Sequence, residues 1–99
     1  MVETTSISDI FRKDIDRAVQ ILKEAGCTEV YLFGSVASGE IHAKSDIDLA
    51  VRGCPPDRFF HTLGRLMIEL NHSVDLVDLD EPGIFVRYLL DSGELVRIE

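Results

Sequence analysis

The chain has no apolar run near the roughly 18 residues that a membrane-crossing helix needs, and no basic-then-apolar N-terminus of the kind a secretory signal carries. Neither a membrane span nor a signal peptide is expected. Basic residues are also few: 10 Lys and Arg stand against 18 Asp and Glu, for a formal net charge of −8. They are scattered along the chain and form no stripe. Gripping nucleic acid unaided depends on counterion release at a basic surface, so template-directed polymerisation by this chain alone is not expected, and neither is a direct nucleic-acid partner. Cysteine is scarce. Cys27 and Cys54 fit no metal spacing, and free buried thiols are expected over a single disulfide in a chain read as cytoplasmic. No internal repeat or low-complexity linker breaks the sequence.

What remains is an ordinary globular composition. The 99 residues, 45% of them hydrophobic, suit one domain over residues 1–99, near the lower end of the size at which a single core suffices. Ser6 or Ser8 is expected to cap a helix running to about Ala25, with Phe11, Ile15, Ala18, Leu22 and Ala25 as its buried stripe and Gly26 as its end. Its Arg, Lys, Asp and Glu residues read as a solvated face. Residues 28–33 form a strand rich in β-branched and aromatic residues. A short helix is expected over residues 35–38, a loop over 41–45, and a second strand over 48–52 that stops at Gly53 and Pro55-Pro56. Pro56 suits the first turn of a helix to about Asn71, which buries Phe59 or Phe60, Leu63, Leu66, Met67 and Leu70. Residues 73–79 make a third strand. Asp80 is placed to cap a helix that turns Phe85, Tyr88 and Leu89 inward and ends at Gly93, before a last strand over 94–98. The alternation of helix and strand argues for an α/β layer, a mixed sheet of about four strands flanked by helices.

Chemistry concentrates in one stretch. The first strand runs into Gly34-Ser35, and after ten intervening residues Asp46 and Asp48 open the second strand. Strand alternation puts the two carboxylates on one face, roughly 7 Å apart along the chain. Two such charges repel, and hard oxygen donors at this spacing suit Mg²⁺, which takes its remaining ligands from water and substrate phosphates. Gly34 lets a ligand approach the backbone, and a helix opening at Ser35 would offer free N–H groups and a hydroxyl to an anion. Phosphate cradle and metal pair together read as nucleoside triphosphate chemistry. A third acidic position is open between two residues. Asp75 interrupts an otherwise apolar strand, where burial without a partner would cost several kcal/mol, and Asp78 points to the opposite face.

Gly34-Ser35 followed after ten residues by Asp46-x-Asp48 resembles the GSx10DxD motif of the DNA polymerase β-like nucleotidyltransferases, and the short chain resembles their minimal (MNT) members, the antitoxins of HEPN/MNT toxin–antitoxin modules. The resemblance implies a polymerase β-like α+β fold. It implies catalysis with ATP as substrate and two Mg²⁺ ions held by Asp46, Asp48 and a third carboxylate that matches Asp75. It further implies AMP transfer to a tyrosine of a HEPN-domain RNase toxin, with which the chain would form a hetero-oligomer. Many family members carry an arginine near the positions held here by Val36 and Ser38. Lys44 is the expected stand-in phosphate contact and Arg52 a weaker one. His42, His61 and His72 read as surface or cap residues, Tyr31 and Tyr88 as core aromatics. Two other functions compete: an antitoxin that neutralises by binding alone, and a nucleotidyltransferase acting on a small molecule of the aminoglycoside type.

Overall fold

The computed structural model describes residues 5–34 and 46–99, with side chains from residue 11 onward. Helix α1 spans Thr5–Ala25. Its stripe buries Phe11, Ala18, Leu22 and Ala25 as expected, and Ile21 joins them. Ser6 and Ser8 fall inside the helix, which begins before either could cap it. Gly26, at φ 101°, ends it in a conformation that only glycine adopts without strain.

Strands β1 (Glu29–Phe33), β2 (Ile47–Arg52), β3 (Val74–Asp78) and β4 (Val96–Arg97) form one sheet in the order β3-β2-β1-β4. β1 is antiparallel to β2 and β4, whereas β2 and β3 are parallel. A parallel neighbour demands a crossover. Helix α2 (Phe59–Glu69), entered through a 3₁₀ turn over Pro56–Arg58, supplies it. Helix α3 (Ile84–Ser92) precedes β4 and ends at left-handed Gly93. The result is the mixed four-strand α+β layer that the alternation of elements predicts. The short helix expected over residues 35–38 and the loop over 41–45 lie outside the described residues.

Both faces of the sheet are covered, which is why β2 reads as an almost unbroken apolar run. Val30, Leu32, Ile47, Leu49, Val51 and Val74 pack beneath α1 and α2, against Phe11, Ile21, Leu22 and Leu66. Phe33, Ala50 and Leu79 pack on the other face beneath Leu89 of α3. Charges on α1 that read as merely solvated also reach α2: Arg17 pairs with Glu69, and Arg65 bridges Glu24 at 3.1 Å and Glu69 at 2.9 Å. Exposed pairs of this kind add little stability individually; their effect is to fix the orientation of the two helices.

Four further expectations are corrected. Met67 is 64% exposed, and its place in the buried stripe is taken by Thr62, whose hydroxyl donates to the Arg58 carbonyl at 2.8 Å. Helix α3 is entered through Gly83 and not capped by Asp80, whose carboxylate accepts the Gly53 N–H at 2.7 Å. It buries Leu89 with Val86 beside it, leaving Phe85 and Tyr88 52% and 54% exposed, because the stripe that meets the sheet is turned by one residue from the expected one. Cys27 and Cys54 are joined as a disulfide, against the expectation of free thiols. Register explains the pairing. Glu29 faces Arg52, the Thr28 N–H donates to the Arg52 carbonyl at 2.9 Å, and one step further out residue 27 meets residue 54 with Cα atoms 4.0 Å apart.

Candidate active site

Register across three strands builds the site. Phe33 of β1 faces Asp48 of β2, and Asp48 faces Asp75 of β3. Directly opposed residues project to the same side of a sheet, so Asp48 and Asp75 stand side by side on the α3 face. Asp46 precedes β2 by one residue and is exposed. Being two residues from Asp48, it shares that face. Asp78 does not join them. It faces Val51 at the far end of β3, and its carboxylate accepts the Asp80 N–H at 2.9 Å.

The carboxylates repel one another as their spacing implies. Burial, then the charges of Asp75 and Asp46, then a hydrogen bond with Asp75 push the Asp48 carboxyl up from 3.8 to about 6. Gly34 is fitted to this group. It lies at φ 76°, and a Cβ added there would overlap Asp48 Oδ2 and come within 3.1 Å of its Cγ. The space beside the Gly34 backbone that a side chain would fill is held by the Asp48 carboxylate, so glycine is required by the site itself as well as by the turn.

The expected cations divide differently. Arg52 stands at the opposite end of β2, within 3.8 Å of Glu29 and 3.7 Å of Asp80, and is no phosphate contact. Ser35, Lys44 and His42 lie outside the described residues. His61 is exposed on α2. Of the aromatics read as core, Tyr31 is partly buried against the α3-side cluster and Tyr88 is exposed.

One buried residue, on the other face of the sheet from the carboxylates, escaped the sequence reading. Asp14 of α1 is 3% exposed. Its carboxylate accepts the backbone N–H groups of Asn71 and His72 at 2.9 and 3.0 Å and the Asn71 amide at 3.1 Å, and it lies 2.6 Å from His72 Nδ1. His72 is accordingly no surface residue. Its ring stacks on Phe11 with centroids 4.0 Å apart. Asp14 therefore ties α1 to the turn that starts β3, three residues before Asp75. The signal was present in the sequence: Asp14 lies on the apolar stripe, three residues after Phe11 and four before Ala18.

Among the described residues no three Asp, Glu, His or Cys side chains are gathered as a preformed metal centre. The donors that do converge are Asp48 and Asp75, with Asp46 near enough to add its charge. A partly buried carboxylate, Asp48, set beside the exposed Asp75 and repelled by it, fits a hard divalent cation that completes its shell from substrate phosphates.

No curated protein sequence matches the chain. Solved structures do. A toxin–antitoxin complex with AMP-PNP superimposes with a TM-score of 0.68 at 25% identity, covering 83% of this chain and 69% of that one. An MntA–HepT toxin–antitoxin complex gives 0.64 at 21% identity, over 87% and 69%. A complex of tri-AMPylated Shewanella oneidensis HEPN toxin with MNT antitoxin gives 0.62 at 22% identity, again over 87% and 69%. Residues 7–98, nearly the whole chain, match the polymerase beta nucleotidyltransferase family. That match spans nearly the whole described fold, and the chain belongs to the polymerase beta nucleotidyltransferase family.

Proposed function

We propose that the chain is a Mg²⁺-dependent protein adenylyltransferase of the cytoplasm that moves AMP from ATP to a tyrosine hydroxyl of a HEPN toxin and thereby acts as its antitoxin. The observation that carries the reading is the cross-strand pair Asp48–Asp75, with Asp48 seated against Gly34. Its context supports the substrate and the partner. The chain resembles complexes that hold AMP-PNP and a tri-AMPylated HEPN toxin. Its net charge of −8 suits a basic partner better than a nucleic acid.

Asp46, Asp48 and Asp75 would hold the two Mg²⁺ ions, whose charge would offset that of the triphosphate and polarise its α-phosphorus. Asp75 favours loss of the acceptor hydroxyl proton as that oxygen attacks the α-phosphorus. The bond to the β-phosphate oxygen breaks, and pyrophosphate leaves past the backbone at Gly34. Ser35 keeps the phosphate-binding role that the family motif implies, and Lys44 that of stand-in for the arginine this chain lacks.

The test is label transfer from α-³²P-ATP with Mg²⁺ to proteins of the native host lysate, wild type against Asp48→Asn. A single labelled protein band, lost in the variant and on adding EDTA, is expected, with the label on tyrosine. Label in a small molecule or in nucleic acid overturns the acceptor assignment. A co-purifying protein that never takes label, together with full protection of cells by Asp46→Asn/Asp48→Asn, replaces catalysis by neutralisation through binding.

A further inference from the structure

We infer that the half-exposed rings of Phe85 and Tyr88 form the stacking platform for the nucleobase of the triphosphate substrate, an inference that rests on the nucleotidyltransferase reading above. Phe33 lies next to Asp48 in the same cross-strand row, on the same face of the sheet. The Phe85 ring meets Phe33 edge-on with centroids 6.0 Å apart, and the Tyr88 ring lies within 21° of parallel to Phe85 at 6.5 Å. One aromatic ring thus separates the carboxylate pair from an open aromatic surface. The step from Asp48 to Phe85 is one cross-strand spacing, about 5 Å, and one ring contact. That is the scale of the metal-bound α-phosphate and sugar together, which would lie between these carboxylates and the base.

Packing does not account for the two rings. Val86 and Leu89 hold α3 on the sheet, with Leu89 1% exposed, whereas Phe85 and Tyr88 are each more than half open to solvent. Yet the pair is held in place. Phe33 braces Phe85 from below, and the Tyr88 hydroxyl donates to Glu94 at 3.3 Å. The other strongly exposed aromatic among the described residues, Phe60, sits on α2 across the sheet and cannot reach a nucleotide bound at Asp48. Stacking serves affinity more than base identity, since every base offers a π-face. The platform therefore predicts binding that depends on the presence of a base and discriminates weakly between ATP and GTP.

The experiment is calorimetric titration of the full chain with Mg²⁺-ATP and, separately, with Mg²⁺-tripolyphosphate, which has the charge and no base. Phe85→Leu keeps apolar bulk against Phe33 and removes the aromatic face. It should weaken ATP about tenfold, in line with the loss of one stacked base, and leave tripolyphosphate unchanged. Phe85→Trp should restore ATP binding. Ile84→Ser, 91% exposed on the same helix, should change neither ligand. Unchanged ATP affinity in Phe85→Leu, or equal loss of both ligands, overturns the platform. Loss of partner binding in Ile84→Ser and Phe85→Leu together, with ATP affinity intact, overturns it too and reassigns the patch to the partner. Asp48→Asn separates the two proposals. If it leaves tripolyphosphate binding unchanged, the nucleotidyltransferase reading fails at the carboxylates. If it abolishes that binding while Phe85→Leu has no effect, only the platform falls.

Discussion

Replacing Asp48 by Asn should make the free protein more stable while removing its activity. The Asp48 carboxyl is moved from 3.8 to about 6 by burial and by the charges of Asp75 and Asp46. At about 1.4 kcal/mol per pKa unit, ionised Asp48 disfavours the folded state by at most about 3 kcal/mol at neutral pH. Partial exposure and solvent screening bring this to roughly 1–2 kcal/mol. The sign follows from linkage. The folded value lies above the unfolded one, so the favourable contribution of protonated Asp48 is complete below pH 3.8 and is lost as pH rises through about 6. Asn cannot ionise, so the variant escapes that loss. In thermal melts without metal, Asp48→Asn should match wild type near pH 4 and exceed it by about 5–10 °C above pH 6.5, given the usual sensitivity of a domain of this size. Saturating Mg²⁺ should raise the wild-type melt at pH 7.5 and leave the variant nearly unmoved, because a ligand stabilises only the form that binds it. A variant that melts at or below wild type at pH 7.5 would refute the reasoning, since it would make ionised Asp48 part of the fold's support and not a charge held in reserve for a cation.

Further perturbations test the parts separately. Asp75→Asn removes the stronger of the two charges acting on Asp48, so the Asp48 carboxyl should titrate lower than in wild type when its carbon resonance is followed by NMR; an unmoved titration would mean that Asp75 does not face it. Gly34→Ala forces a left-handed φ on an L residue, costing about 1–2 kcal/mol, and displaces the Asp48 carboxylate. Label transfer should fall at least a hundredfold while the circular dichroism spectrum persists. Asp14→Ala leaves the buried N–H groups of Asn71 and His72 without their acceptor, a loss of about 2–4 kcal/mol in urea unfolding, and a cost below about 1 kcal/mol would show that water replaces it. Leu66→Ala, in the fully buried centre of the α2 contact, should cost about 2–5 kcal/mol with Mg²⁺-tripolyphosphate affinity unchanged, because that core lies on the other face of the sheet.

The sequence held the chemistry at short range and hid what depends on how elements rotate and register. Gly34, Asp46 and Asp48 are readable because spacing along one strand decides which face a side chain takes. Asp75 is readable for a related reason: a carboxylate stands out in an otherwise apolar strand, and the parallel pairing of β2 and β3 sets it level with Asp48, where it stays exposed. Helix α3 gave no such guide. The sets Phe85, Tyr88, Leu89 and Val86, Leu89 are both spaced for a buried face, and only the seat of the helix on Phe33, Ala50 and Leu79 chooses the second. The cysteine pair was hidden in the same way, since two cysteines 27 residues apart carry no signal until the β1–β2 register opposes them. Asp14 is the instructive miss. A carboxylate on the buried stripe of α1 poses the same question as Asp75 in β3, and both answers lie at the start of β3. Asp14 anchors the turn at Asn71 and His72, and from that turn the Ile47 N–H binds the Ser73 carbonyl at 2.8 Å, one residue before Asp48 comes level with Asp75. One buried carboxylate sets the register that brings the other two together.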